Sequence, residues 1–261
     1  VKSHQLQQTA RQLRDANERL KQLDLQKDDF LSQVSHELRT PMTSIRSFAQ
    51  ILLETPDMTV EETQRFTGII LEESMRLTRL LDEILDLARL EGEQVPWVLQ
   101  RVDPEETLER AVETCHGLAS QAATEIRFGD RVGDIEVKAE ADRLRQVYLN
   151  LITNAIKYNT SDTPVITIRT TLEDDRYCVY IQDNGEGIRA DDRERIFKKF
   201  SRGWRESKDS RSGTGLGLAI SWQIMQRLQG DLELLPQIPG DGACFRVTLP
   251  FDSIKTSKAA E

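Results

Sequence analysis

The strongest constraint on this chain is an apolar periodicity that runs from Leu6 to Leu52. Leu6, Leu13 and Leu20 recur every seven residues, with Thr9, Ala16 and Leu23 three after each. These are the a and d positions of a parallel coiled-coil seam, which Lys27, Phe30 and Val34 continue less well. From there Val34, Leu38, Met42, Ile45, Ala49 and Leu52 mark one helical face at spacings of three and four. Thr55-Pro56-Asp57 breaks the pattern, because the residue before a proline avoids the helical region. Thr59-Val60-Glu61-Glu62 then reads as a capping box. Phe66, Ile70, Leu77, Leu80, Leu81, Ile84, Leu87 and Ala88 give the second helix a broad apolar face that ends near Gly92. Two long helices and a short loop make an antiparallel hairpin. A hairpin of this size has little core of its own, so its wide faces predict pairing into a dimeric four-helix bundle.

Pro96 and Asp103-Pro104 mark a boundary, after which the pattern turns mixed. Helices are expected at about 104–123, 140–158 and 216–229, and strands at 135–139, 164–172, 177–183, 231–235 and 243–250. The polar, Gly-rich stretch from Asn184 to Thr214 is too long for an ordinary connection and is expected to hold a functional lid. The expected division is a coiled-coil signalling helix at 1–27, a hairpin at 28–93, an α/β domain at 94–251 and a disordered tail at 252–261. The fold class is therefore multidomain, α followed by α/β (α+β). A length of 261 residues fits one to two domains, and 30% charged residues suit long exposed helices. The net charge of −9 argues against bulk binding to nucleic acid or to an anionic membrane. No apolar run approaches the ~18 residues of a transmembrane helix, and no signal peptide is present. The chain opens at Val1 inside a helical pattern and is expected to be part of something longer. Cys115, Cys178 and Cys244 are widely spaced with no CxxC pair, which suits a reducing compartment.

Four clusters carry chemistry. In His36-Glu37-Leu38-Arg39-Thr40-Pro41 the histidine lies off the apolar stripe and is expected to face solvent. A largely uncharged imidazole is a nucleophile near neutral pH, and Glu37 is placed to take its proton or orient the ring. Thr40 lies one turn on, and Pro41 is expected to kink the helix beside it. On the helix 140–158, Asn150, Asn154 and Lys157 share a stripe beside the core face. There a carboxamide oxygen suits Mg2+, a lysine suits phosphate, and Tyr158 suits stacking on a base. Asp183-Asn184-Gly185-Glu186-Gly187-Ile188 follows an apolar strand, and Gly213-Thr214-Gly215-Leu216-Gly217-Leu218 opens a helix. Glycines admit close backbone approach, and helix N-termini attract phosphate. Gly185, Gly187 and Ala190 also match a dinucleotide fingerprint, but no apolar strand follows within reach of Glu206 or Asp209, and no P-loop is present.

Taken together these residues resemble the catalytic core of a bacterial sensor histidine kinase over about residues 28–250. Phe30 to Pro41 is similar to the H box, Gln146 to Tyr158 to the N box, Asp183 to Ile188 to the G1 box, Ile196 to Phe200 to the F box and Gly213 to Ile220 to the G2 box. The resemblance implies a dimerisation and histidine-phosphotransfer hairpin followed by an α/β-sandwich ATP-binding domain of the gyrase and Hsp90 type. It implies His36 as phosphoacceptor, Glu37 as its base and Thr40 as a position for orienting water in dephosphorylation of the partner. It implies Asn154 as Mg2+ ligand supported by Asn150, Lys157 as a phosphate contact, and Tyr158 stacking on adenine. Asp183 would accept from the adenine amino group, with Gly185 and Gly187 letting the base approach. Gly213, Thr214, Gly215, Leu216 and Gly217 would form the lid hinge and phosphate cradle, and Arg202 is a further phosphate partner. The F box departs from the pattern in carrying Lys198 and Lys199, while Phe197 and Phe200 remain.

The expected activity is ATP-dependent, Mg2+-dependent autophosphorylation of His36 and transfer to an aspartate of a response regulator, with phosphatase activity as well. The expected partners are a second copy of the chain, that regulator and an upstream sensor absent here. The expected location is the cytoplasmic side of an inner-membrane protein. Two alternatives stand beside it. One is a gyrase- or Hsp90-like ATPase without histidine chemistry, which leaves the His36 hairpin unexplained. The other is a dimeric scaffold or net phosphatase.

Overall fold

The computed structural model describes residues 2–92, 97–201, 213–236 and 241–254. It divides into two compact units, Val1–Asp82 and Glu83–Glu261.

The first unit is built on two helices. Helix α1 spans Lys2–Glu54, 53 residues, and continues through Pro41, which is buried. Proline lacks the N–H that would bond the Glu37 carbonyl, so one rung of the ladder is missing beside His36. Helix α2 spans Val60–Glu91. Its capping box forms as the sequence predicts: Glu62 N–H donates to Thr59 Oγ1 at 3.2 Å, and Thr59 N–H donates to Glu62 Oε2 at 3.0 Å. The Thr59 amide and hydroxyl, both donating to Glu62 Oε2, hold the Glu62 carboxyl below its ordinary pKa. The rings of Phe48 and Phe66 lie 5.3 Å apart and pack α1 against α2. Met42, Leu53, Val60, Leu71 and Met75 remain exposed, from 52% for Met75 to 84% for Leu53, which is a large uncovered apolar surface for a helix pair. Most seam side chains at the start of α1, Leu6, Thr9, Ala16, Leu20 and Leu23 among them, lie outside the described residues; Leu13 is exposed.

The second unit is a sheet carrying helices on one face. Its strands are β1 (Gln100–Val102), β2 (Glu125–Phe128), β3 (Ile135–Ala139), β4 (Val165–Glu173), β5 (Arg176–Asp183), β6 (Asp231–Leu234) and β7 (Cys244–Ile254). The order is β1-β3-β7-β5-β4-β2, with β6 also paired to β7. All pairings are antiparallel except β2 with β4. Helices α3 (Pro104–Gln121), α4 (Ala141–Tyr158) and α6 (Gly217–Arg227) bury apolar stripes, Leu108, Leu151 and Ile224 among them, together with Ile166, Ile168, Val179, Ile181 and Val247 of the sheet. A short helix, α5 (Ala190–Arg193), follows the G1 segment.

Helix α3 starts where Asp103 accepts from the Glu105 and Glu106 amides at 2.9 and 3.1 Å, with Pro104 in the first turn. Glu105 is buried yet satisfied by Thr170 Oγ1 at 2.5 Å, Tyr177 Oη at 2.9 Å and Arg131 Nε at 2.7 Å. This ionic cluster clamps α3 to the sheet. Burial, then the neighbouring Tyr148 and Glu105, drives the Tyr177 phenol well above its usual range.

The last turns of α2 belong to this unit, with Leu87 and Leu90 buried. Asp86 accepts from Arg143 Nη1 at 3.1 Å and from Gln146 Nε2 at 2.8 Å. Glu83 accepts from Thr214 Oγ1, and Glu91 pairs with Lys199 and accepts from Gln223 at 3.2 Å.

Candidate functional site

The site residues fall on both units. On α1, the His36 side chain is 77% exposed, and its Nδ1 faces Glu37 Oε1 at 4.0 Å. Glu37 is mostly buried and lies 3.8 Å from Arg76 of α2, which also pairs with Glu73 at 3.7 Å. The imidazole is therefore largely open to solvent, with the Glu37 carboxylate on the Nδ1 side and Arg76 paired to that carboxylate. Thr40 Oγ1 donates to the His36 carbonyl at 3.3 Å, one turn away as the sequence spacing requires.

On the second unit the other residues converge at the ends of α4, β5 and α6. Asp183 closes β5, and its Oδ1 accepts from the backbone amides of Gly185 at 2.8 Å and Ala243 at 3.2 Å. The other carboxylate oxygen takes neither bond. Burial raises the Asp183 pKa, and the two amides oppose that rise. A methyl on Gly185 would sit 3.0 Å from Asp183 Oδ1. Gly242, which the sequence reading did not single out, is tighter: its Cβ would lie 2.1 Å from Asp183 Oδ1 and 2.6 Å from the Gly185 nitrogen. The turn-like Gly240-Asp241-Gly242 run opening a strand was the available signal.

Helix α4 carries Asn150, Asn154, Lys157 and Tyr158 in register. Asn154 Nδ2 approaches Asn150 Oδ1 at 3.5 Å, and Asn150 Nδ2 donates to Ser221 Oγ on α6 at 2.9 Å. Lys157 Nζ lies 2.9 Å from Tyr158 Oη and 4.7 Å from the centre of that ring. Asn159, which the sequence reading did not single out, and Asn184 of the Asp183–Ile188 segment join the parts. Asn159 Nδ2 donates to Asn184 Oδ1 at 2.9 Å, and Asn184 Oδ1 also accepts from the Val165 amide at 2.8 Å. This ties the end of α4 to the start of β4 and to the G1 turn. Gly187 and Gly213 hold positive φ angles of 74° and 65°. Gly215 has φ of 72°, and its Cβ would meet the Phe200 backbone at 2.8 Å, so only glycine fits where the G2 segment passes the F box. Thr214 reaches Glu83, and Leu216 is fully buried ahead of Gly217. Arg202 and the lid from 202 to 212 lie outside the described residues, as do linker residues 93–96 and the tail from 255.

Among the described residues no group of three or more His, Cys, Asp or Glu is arranged to hold a metal, and no helix is long and apolar enough to cross a membrane. The Asn154 carboxamide oxygen, with phosphate oxygens and waters, is a donor set that would suit Mg2+.

Comparison with known proteins agrees with this geometry. Residues 26–93 match the His Kinase A (phospho-acceptor) domain, and residues 139–253 match the histidine kinase-, DNA gyrase B-, and HSP90-like ATPase family. The sensor histidine kinase MtrB of Mycobacterium leprae is 34% identical over 224 residues, covering 85% of this chain and 39% of MtrB. This chain thus spans about two fifths of that relative's length. Full-length ShkA, solved in complex with AMPPNP, is 27% identical with a TM-score of 0.62, covering 86% of this chain and 46% of ShkA. The histidine kinase ThkA, solved in complex with response regulator TrrA, shares the fold at 20% identity, with a TM-score of 0.70, covering 86% of this chain and 61% of that one. A phospho-acceptor hairpin joined to an ATP-binding domain of this type defines a protein histidine kinase core. The two matched regions, in this order, are those of the catalytic core of a two-component sensor histidine kinase.

Proposed function

We propose that this chain uses ATP to phosphorylate His36 and passes the phosphoryl group to an aspartate of a response regulator. His36 itself supports this reading most strongly: its side chain is exposed, while Nδ1 faces the mostly buried Glu37–Arg76 pair. With Nδ1 carrying the proton toward Glu37, the Nε2 lone pair attacks the γ-phosphorus, the bond to the β-bridging oxygen breaks, and ADP leaves. Glu37 stabilises the imidazolium formed and takes its proton. Arg76, 3.8 Å from Glu37, holds that carboxylate in place. A receiver aspartate then displaces the phosphoryl group from Nε2. Thr40, one turn from His36, is placed to orient water for the reverse duty, dephosphorylation of the partner.

In the same reading Asp183 accepts from the adenine amino group through the oxygen its amides leave open. Gly185 and Gly187 admit the base, and Tyr158 stacks beside it. Lys157 meets phosphate, as does Arg202, while Gly213, Thr214, Gly215, Leu216 and Gly217 shape the hinge and cradle. Asn154, supported by Asn150, holds Mg2+. When bound, the cation offsets charge on the phosphates; the remainder is positioning and electrostatics by the protein. The uncovered apolar faces of α1 and α2 support a homodimer through a four-helix bundle. The division at about 28–93 and 94–251, and a cytoplasmic site beneath a membrane-attached sensor, follow from the family resemblance and belong to the same proposal.

Incubation with γ-labelled ATP and Mg2+ tests it. Acid-labile, alkali-stable label on the native chain, lost in His36→Ala and Asn154→Ala, is the expected result. ATP turnover that survives His36→Ala with no bound label would point instead to a plain ATPase.

A further inference from the structure

We propose that Ser221 is a positioning residue that decides which atom Asn154 presents to the nucleotide-bound cation; this rests on the Mg2+ reading of Asn154 above. Ser221 is 1% exposed on α6, a helix whose neighbouring buried residues, Ala219, Ile220, Ile224 and Met225, are apolar. A hydroxyl in such a seam is costly unless it is hydrogen-bonded. Its Oγ accepts from Asn150 Nδ2 at 2.9 Å across the α4–α6 contact.

One turn earlier, Gly217 closes the other side of the same carboxamide. A Cβ there would lie 2.3 Å from Asn150 Oδ1 and 3.2 Å from its Nδ2. Asn150 Oδ1 therefore sits at the first turn of α6, where backbone amides lack helical partners and the helix dipole favours oxygen over an amino group. Its Nδ2 is directed to Ser221. With Asn150 fixed this way, its oxygen faces Asn154 Nδ2 at 3.5 Å, so the Asn154 oxygen is turned away from Asn150. Losing the Ser221 acceptor leaves the Asn150 amide unpaired and frees it to rotate. Its amino group would then oppose that of Asn154, and Asn154 would lose the orientation a hard cation needs. Because Gly217 is the last of the G2 glycines and opens α6, with Ser221 one turn on, hinge and cation ligand are linked through the Asn150 side chain.

Calorimetric titration of the full chain with the β,γ-imido analogue of ATP, over a series of Mg2+ concentrations and without Mg2+, tests this. Ser221→Ala is expected to raise the Mg2+ concentration for half-saturation by about tenfold, in line with loss of groups that orient a metal ligand. Affinity without Mg2+ should change less than twofold, and Ser221→Thr, which keeps the hydroxyl, should restore the native Mg2+ response. Ser221→Cys, similar in shape but a weak acceptor, should behave like Ser221→Ala and serves if the alanine variant does not fold. Equal losses with and without Mg2+, or no shift in either, would overturn the proposal. Asn154→Ala separates the two readings. If it leaves Mg2+ half-saturation unchanged, the metal reading and this proposal fall together; if it shifts while Ser221→Ala does not, this proposal alone falls.

Discussion

Gly242 lies so close to Asp183 that a single methyl on it would come within 2.1 Å of the carboxylate Oδ1 and 2.4 Å of the backbone oxygen. Asp183 is thereby walled in by backbone on the side where Ala243 and Gly185 donate. Gly242→Ala is expected to push the carboxylate out of place. Nucleotide affinity should fall at least tenfold, and stability should fall by about 1–3 kcal/mol, as overpacking typically costs. Titration with the imido analogue and chemical denaturation measure the two effects.

Burial raises the Asp183 pKa, and this sets a pH dependence. In the proposed binding mode the adenine amino group donates to Asp183, so binding needs the ionised carboxylate. Affinity should fall as pH is lowered through the folded pKa, beginning at a higher pH than an ordinary aspartate would give. The stability contribution has the opposite sign. The folded state holds this proton more tightly than the unfolded state, so stability is fully present below the unfolded pKa and is lost as pH rises through the folded one. Asp183→Asn should remove both dependences, which parallel affinity and denaturation series at several pH values would show.

Asp86, near the end of α2, is the shared acceptor for Arg143 and Gln146 of α4. Its side chain is 24% exposed and that of Arg143 22%, so removing one partner strands the other in a partly dry setting. Asp86→Ala is expected to cost about 1–2 kcal/mol, between a surface pair and a buried one. A double-mutant cycle with Arg143→Ala should return a coupling energy above the ~0.5 kcal/mol at which independent sites still add.

Leu71 and Met75 sit four residues apart on α2 and are 60% and 52% exposed. Replacing both with lysine should weaken self-association at least a hundredfold while the helical signal of the chain stays high. Sedimentation equilibrium and circular dichroism report the two quantities. A mass independent of the substitution would speak against the bundle.

Much of this fold was legible because its patterns were long or strongly periodic. The 3.6-residue stripe of α4 foretold its burial, and β3 occupies the expected residues 135–139. Strands β1 and β2 were not anticipated: one has three residues at a sheet edge, and the other, Glu-Ile-Arg-Phe, is largely exposed, so neither carries a marked alternation. Local motifs single out His36, Asn154 and Asp183 as candidates because the chemistry expected of them lies in side chains at recognisable spacings. Gly242, Asn159 and Ser221 act through tertiary contacts with residues 59, 25 and 71 positions away, which no window along the chain displays. Glu105 was missed for the same reason: among the N-terminal glutamates of α3, nothing local shows that it faces Tyr177 and Thr170.

The central claim is that Nε2 of His36 carries the phosphoryl group. Phosphorus NMR of the chain after incubation with ATP and Mg2+ at alkaline pH, with peptide mapping of the same sample, tests it most directly. One phosphoramidate signal, assigned to Nε2, mapping to His36 and absent from His36→Ala, is expected. Phosphate on Ser32, Ser35 or Thr40, or sustained ATP turnover with no phosphoramidate, would contradict it.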